Sequence, residues 1–163
     1  MEESTIVYED DDKKVLVPSG PISETWKGGG SFNDQTWTIC SGQPGGIGYE
    51  RGSGYEDYIS LDTEAQMYNI QTTCYIRIPF NIESDPINFE SMTLKIRYDD
   101  GFIAYLNGTE VARRNFSGTP AWNSSASSNH DDSASVVFEY IDVTDYLGLL
   151  QNGFNILAIS TSK

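Results

Sequence analysis

The stretch Lys95–Arg113 constrains the fold of this chain more than any other. It reads as two strands around Asn107-Gly108, with the acidic pair Asp99-Asp100 just before the first strand, Gly101-Phe102-Ile103-Ala104-Tyr105-Leu106. A two-residue type I′ hairpin needs positive φ at both central residues, and Asn-Gly tolerates that best. Helical periodicity is nearly absent elsewhere. Cys74, Ile76, Ile78, Phe80 and Ile82 alternate with their neighbours, as do Met92, Leu94, Ile96 and Tyr98. Val136 to Ile141 reads as a strand apolar on both faces, and Gly153 to Ser160 as a closing strand. Half-buried strands separated by loops predict an all-β, two-sheet antiparallel sandwich. Pro79 belongs at an edge or a bulge, because it has no amide proton for the ladder. Two short helical turns are expected. One runs through Asp145–Leu150, capped by Asp142 or Thr144 and ended by Asn152-Gly153; the other spans Phe32–Trp37.

The chain has 163 residues, 38% of them apolar and 12% aromatic, which suits one domain with a full core. Residues 1–13 read as an acidic tail or a first edge strand, and residues 14–163 as the domain. The net charge is −14, from 24 acids against 10 bases. Such a surface repels nucleic acid and anionic membranes and suits hard divalent cations. No apolar run approaches the roughly 18 residues of a membrane helix. Met1 leads straight into Glu2-Glu3-Ser4, so no signal peptide is visible. Cys40 and Cys74 lie in strand-like runs, and either one disulfide or two buried thiols fits them. Two cysteines and one histidine cannot supply a structural zinc site.

Two long loops carry the candidate chemistry. Ser41–Tyr58 is glycine-rich and holds Tyr49, Tyr55 and Tyr58; Asn115–Ser135 holds Trp122 and ends in Asn129-His130-Asp131-Asp132. An exposed indole at Trp122, beside Asn123, would stack on the apolar face of a pyranose, with Tyr55, Tyr58, Arg113 and Arg114 adding stacking and hydrogen bonds. A tryptophan folded back over the sheet is the competing reading. Asn129, Asp131, Asp132 and Asp142 offer closely spaced oxygens for a structural Ca2+, although the spacing fits no EF-hand. Asp99 and Asp100, as strand neighbours, should point to opposite faces and cannot act as a glycosidase carboxyl pair. One of them should accept hydrogen bonds within the hairpin, with a ligand role open to Asp100. Nothing resembles a nucleophile elbow, and Gly28-Gly29-Gly30 lacks the lysine of a phosphate loop.

Four stretches, in chain order, resemble the galactose-binding-like jelly rolls of secreted bacterial multidomain proteins and of β-galactosidase-type glycoside hydrolases. They are Val15-Leu16-Val17-Pro18 with Trp26; Phe32-Asn33-Asp34-Gln35-Thr36-Trp37; Asp99–Arg113 with the Thr119–Asn123 loop; and Ile141–Leu147 with Gly153–Ile159. The resemblance implies a jelly roll with Trp26 and Trp37 in its core. It also implies a non-catalytic carbohydrate-binding module of a larger secreted or cell-surface protein, partnered by a polysaccharide and by neighbouring domains. The alternative is a structural or adhesion module with no sugar ligand, for which the acidic surface and the oxygen-rich loop suggest stabilisation by Ca2+. In the resembled pattern a further strand follows the last one, so an open edge is expected unless Thr5–Tyr8 covers it.

Overall fold

A computed structural model of the chain describes residues 3–163; Met1 and Glu2, the start of the expected tail, lie outside the described residues. The large sheet has the order β2 (Thr38–Cys40), β1 (Lys13–Leu16), β5 (Thr73–Ile82), β10 (Gly153–Ser162), β7 (Gly101–Leu106), β8 (Thr109–Arg114), and every neighbouring pair is antiparallel. The facing layer consists of two small sheets. β6 (Thr93–Ile96) pairs with β9 (Glu139–Asp142) antiparallel, and β3 (Gly46–Gly48) pairs with β4 (Ile59–Asp62) in parallel. The architecture is the expected sandwich, with the parallel pair as an addition to it. Among the described residues no helix is long and apolar enough to cross a membrane.

The large sheet is buried on both faces, and β7 shows why. All six of its residues are buried. Phe102, Ala104 and Leu106 join one apolar core, between the sheets, while Ile103 and Tyr105 join a second on the opposite face with Trp26, Trp37, Tyr75 and Phe116. Successive strand residues point to opposite faces, so a strand apolar at every position is one buried on both. Trp26 stacks on Tyr75 at 4.1 Å between ring centroids, and Phe32 meets Trp37 edge to face at 5.6 Å.

The hairpin turn forms as expected, with φ of +49° at Asn107 and +93° at Gly108. Its tip is clamped by the glycine run that follows the 3₁₀ turn Glu24–Lys27. Gly108 N–H donates to the Lys27 carbonyl at 3.0 Å. A Cβ on Gly29, itself at φ +78°, would lie 2.8 Å from the Asn107 carbonyl oxygen. Close approach of two backbones therefore accounts for Gly28-Gly29. Asn107 also locks the closing strand. Its amide donates to the Leu149 carbonyl and to Oδ1 of fully buried Asn155, and its Oδ1 accepts from Ile156 N–H.

Some local expectations are met and others corrected. β10 is a central strand between β5 and β7, so it presents no open edge; β2 and β8 are the edges of the large sheet. Pro79 lies in β5 beyond the reach of β1, which pairs only with Tyr75–Arg77, so its missing N–H interrupts no β1 ladder. Val136 and Val137 extend the turn of α2 (Asp132–Ser135) rather than β9. A 3₁₀ turn covers Thr144–Leu149 as expected, with Asp142 accepting from Thr144 N–H, whereas Phe32–Trp37 is a turn without helix. Thr5–Tyr8 is not a strand. Residues 3–12 instead form a strap. Ile6 and Val7 pack on the inter-sheet core, while Glu3 and Glu9 pair with Lys95 and Arg97. The strap lies along an apolar cavity of about 1080 Å³ between the two layers. Cys40 and Cys74 are two free, buried thiols on strands separated by β1.

Candidate functional site

A polar cavity of about 630 Å³ opens at the end of the sandwich where β7 begins and β10 ends. The register sets its floor. Gly101 pairs with Ser162, and Asp100 N–H donates to the Ser162 carbonyl at 3.0 Å. Asp99 and Asp100 thus sit beside Lys163. They lie in the turn before β7, not on the strand, so the period-two argument does not apply and both line the same cavity. The loop between β3 and β4 brings Tyr49, Glu50, Arg51 and Tyr55. Tyr68 follows α1 (Glu64–Met67), and Asn129–Asp132 close the rim where α2 begins.

These walls are tied to one another. Tyr55 donates its hydroxyl to Asp99 Oδ2 at 2.7 Å. Burial and that bond to a carboxylate push the phenol well above its ordinary pKa, so Tyr55 remains a donor. The Lys163 ammonium lies 3.3 Å from Asp99, 3.3 Å from the Tyr55 hydroxyl and 4.3 Å above the Tyr49 ring. Tyr49 meets Tyr68 edge to face, and the Arg51 guanidinium lies 3.9 Å over Tyr68 while paired with Glu64. Tyr68 remains 40% exposed. Asp100 Oδ1 accepts from His130 N–H at 2.8 Å. Burial raises the Asp100 carboxyl above the usual carboxylate range; the His130 bond opposes the shift and the Asp99 charge adds to it. His130 stacks on Tyr98 at 4.1 Å and donates from Nδ1 to the Tyr98 carbonyl. Glu50 Oε1 accepts from Gly52 N–H, whereas Oε2 is enclosed with no hydrogen-bond partner in the protein.

The residues expected from sequence divide between this cavity and elsewhere. Tyr55, Asp100, Asn129, Asp131 and Asp132 line it. Trp122 does not. It packs, half-buried, on the second core with Asn123 exposed beside it, on the face of the large sheet opposite Tyr49. Apolar contact with that core outweighs display of the ring to solvent. Tyr58 lines the apolar cavity, and the Arg97 guanidinium lies 4.6 Å over its ring. Arg113 and Arg114 are strand neighbours and diverge. Arg113 is held by Glu110 and the Gly118 carbonyl, Arg114 by Glu139. The proposed Ca2+ set is not assembled. Asp142 caps Thr144 on β9, away from the Asn129–Asp132 loop, and no group of three or more His, Cys, Asp or Glu side chains among the described residues is placed to hold a metal. Of the four expected calcium ligands, the structure brings Asn129, Asp131 and Asp132 to one rim and leaves Asp142 elsewhere.

Sequence reasoning missed Tyr68, Glu50, Arg51 and Lys163 as parts of one site. Tyr49 and Tyr55 carried a signal, as aromatics in a glycine-rich loop; Tyr68 and Lys163 carried none, because only the fold brings them there.

No protein family and no curated protein matches the sequence. Solved structures do match its fold. A Bacteroides uniformis β-glucuronidase is 14% identical over 94% of this chain, with a TM-score of 0.52. A glycosyl hydrolase family 2 member from Bacteroides cellulosilyticus is 15% identical over 94%, with a TM-score of 0.51. A β-glycosidase from Bacteroides vulgatus is 15% identical over 93%, with a TM-score of 0.50. The chain spans between 14% and 17% of the length of these proteins. It has the fold of a domain-sized part of larger glycosidase chains.

Proposed function

We propose that this chain is a non-catalytic carbohydrate-binding module of a larger extracellular protein, and that its saccharide site is the cavity at the β7–β10 end. The observation that carries this reading is the juxtaposition of three tyrosines, Tyr49, Tyr55 and Tyr68, with the acceptors Glu50, Asp132 and Asn129 in one open cavity. Sugar recognition needs that combination, an aromatic surface for the apolar ring face and fixed polar groups for the hydroxyls. The volume lies within the roughly 300–1,000 Å³ of small-ligand sites. The shared fold with parts of glycosidases supports a sugar-related setting, with catalysis belonging to other domains of the parent protein.

Affinity electrophoresis against plant, algal and microbial polysaccharides tests the reading. One polymer class should retard the protein. Tyr68→Ala should weaken that retention about three- to tenfold, the value of one aromatic contact. Trp122→Ala should leave it unchanged, because that ring packs on the opposite face. Retention lost with Trp122 and kept without Tyr68 would refute the site; a folded protein retained by no glycan would refute the function.

A further inference from the structure

Charge in this cavity is unbalanced. Five carboxylates line it, from Glu50, Asp99, Asp100, Asp131 and Asp132, against the cations Arg51 and Lys163. Both cations are already engaged, Arg51 by Glu64 and Lys163 by Asp99. Among the described residues, Glu50, Asp100, Asp131 and Asp132 therefore have no basic side chain paired with them. Glu50 Oε2 is also enclosed with no hydrogen-bond donor, a costly state for a carboxylate oxygen that a ligand donor would relieve. It faces the same side of Gly54 as the Asp132 side chain, since a Cβ on Gly54 would lie 3.8 Å from each.

The protein already shows what this environment holds. The Lys163 ammonium sits against the Tyr49 ring, the Tyr55 hydroxyl and a carboxylate, and the Arg51 guanidinium sits on Tyr68. Aromatic faces combined with carboxylates are the chemistry that recognises ammonium groups. An anionic sugar would instead meet uncompensated carboxylates, which is how a site rejects a wrong ligand.

Resting on the saccharide-binding reading, we infer that the cavity selects an ammonium-bearing saccharide, an amino sugar whose amine is free, over its N-acylated and uronic acid counterparts. Glu50 and Asp132 receive the ammonium, with the tyrosine cluster lining the ring.

The test is calorimetric titration with short oligosaccharides of equal length: fully de-N-acetylated glucosamine oligomers, their N-acetylated forms, and oligogalacturonate. Because the whole chain carries −14, any cation is drawn to its surface, and a matched control is needed. Glu50→Gln with Asp132→Asn removes two charges from the cavity; Glu83→Gln with Glu90→Gln removes two from exposed positions outside it. The de-N-acetylated oligomer should bind about tenfold tighter than the N-acetylated one. That ratio should collapse in the cavity variant, persist in the surface variant, and shrink as salt rises. An equal fall in both variants, or equal affinity for charged and neutral oligomers, overturns the inference and leaves the carbohydrate-binding function standing. Failure of all three oligomers, with no polysaccharide retained, overturns both.

Discussion

Arg77 is the residue whose environment makes the sharpest demand on the fold. It stands in the middle of β5, on the face of the second core, with its side chain only 5% exposed. Its Nε donates to Asp34 Oδ2 at 2.9 Å, and its Nη1 donates to the Trp26 carbonyl and, at 3.4 Å, to that of Thr25. The pair therefore ties the Phe32–Trp37 turn and the 3₁₀ turn Glu24–Lys27 to the central sheet. Asp34→Ala would leave the guanidinium buried against neutral carbonyls alone. Breaking a buried pair on one side costs about 3–5 kcal/mol, and Asp34, with a quarter of its side chain exposed, belongs at the lower end. About 3 kcal/mol corresponds to a fall in Tm of roughly 6–12 °C for a chain of this size. Urea unfolding followed by tryptophan fluorescence reads it directly, because Trp26 and Trp37 lie in the affected core. The double variant Asp34→Ala/Arg77→Met should recover most of the loss, since an apolar side chain of similar length needs no partner. A single variant that costs under about 1 kcal/mol, or a double variant no more stable than the single, would refute this account.

Three further outcomes follow from the structure. The folded protein holds the Asp100 proton more tightly than the unfolded chain, so this group lowers stability as pH rises from the ordinary value of 3.8 through its raised native pKa. Asp100→Asn should melt higher than the parent at neutral pH, with the gap closing below pH 4; a lower Tm at pH 7 would contradict it. Gly29→Ala should destabilise by more than about 1 kcal/mol, because φ is positive there and the Asn107 carbonyl blocks the methyl, whereas Gly20→Ala, with open space around it, should be neutral in chemical denaturation. Cys74, whose thiol burial pushes up to about 12, and Cys40, raised chiefly by burial, should titrate with a thiol reagent only after unfolding. Rapid labelling of either in the native protein would show the strands opening.

The parts of this fold written in local chemistry were legible. Asn107-Gly108 specified its turn, and the alternation from Cys74 to Ile82 marked β5 because a two-residue period records which side of a strand faces the inter-sheet core. The position of β10 was not legible. Its run of Ile156, Leu157, Ala158 and Ile159 shows burial on both faces, but a strand's neighbours are set by long-range pairing that composition does not encode. β3 and β4 were missed because they contribute only three and four residues, too few for a period. At the site, the rule that strand neighbours diverge was applied to Asp99 and Asp100, which lie just outside the strand, and not to Arg113 and Arg114, which lie on it and diverge although both were expected at one saccharide. Trp122 shows the other limit. A loop aromatic has the same sequence signature whether it faces solvent or folds onto a core, and packing on the second core decides it only in three dimensions.

The cavity has two halves of different origin. Asp99, Asp100 and Lys163 are fixed by the register of β7 on β10, in which Gly101 faces Ser162. A slip of one residue would reverse every side chain of β7 and exchange the two cores, so this half can change only if the sandwich changes. Tyr49, Glu50, Tyr55, Tyr68 and Asp132 come instead from segments outside the sheets, Asp132 from the start of α2, and such segments can vary in sequence while the sheets stay the same. The groups that would choose among saccharides all lie in the second half. The fold that this chain has in common with solved structures at 14–15% identity therefore does not say which saccharide these loops would choose. Exchanging residues 49–55 and 129–132 should alter which glycan is retained while the Asn107-Gly108 hairpin and the Arg77–Asp34 tie hold the melting temperature, because neither contacts those loops.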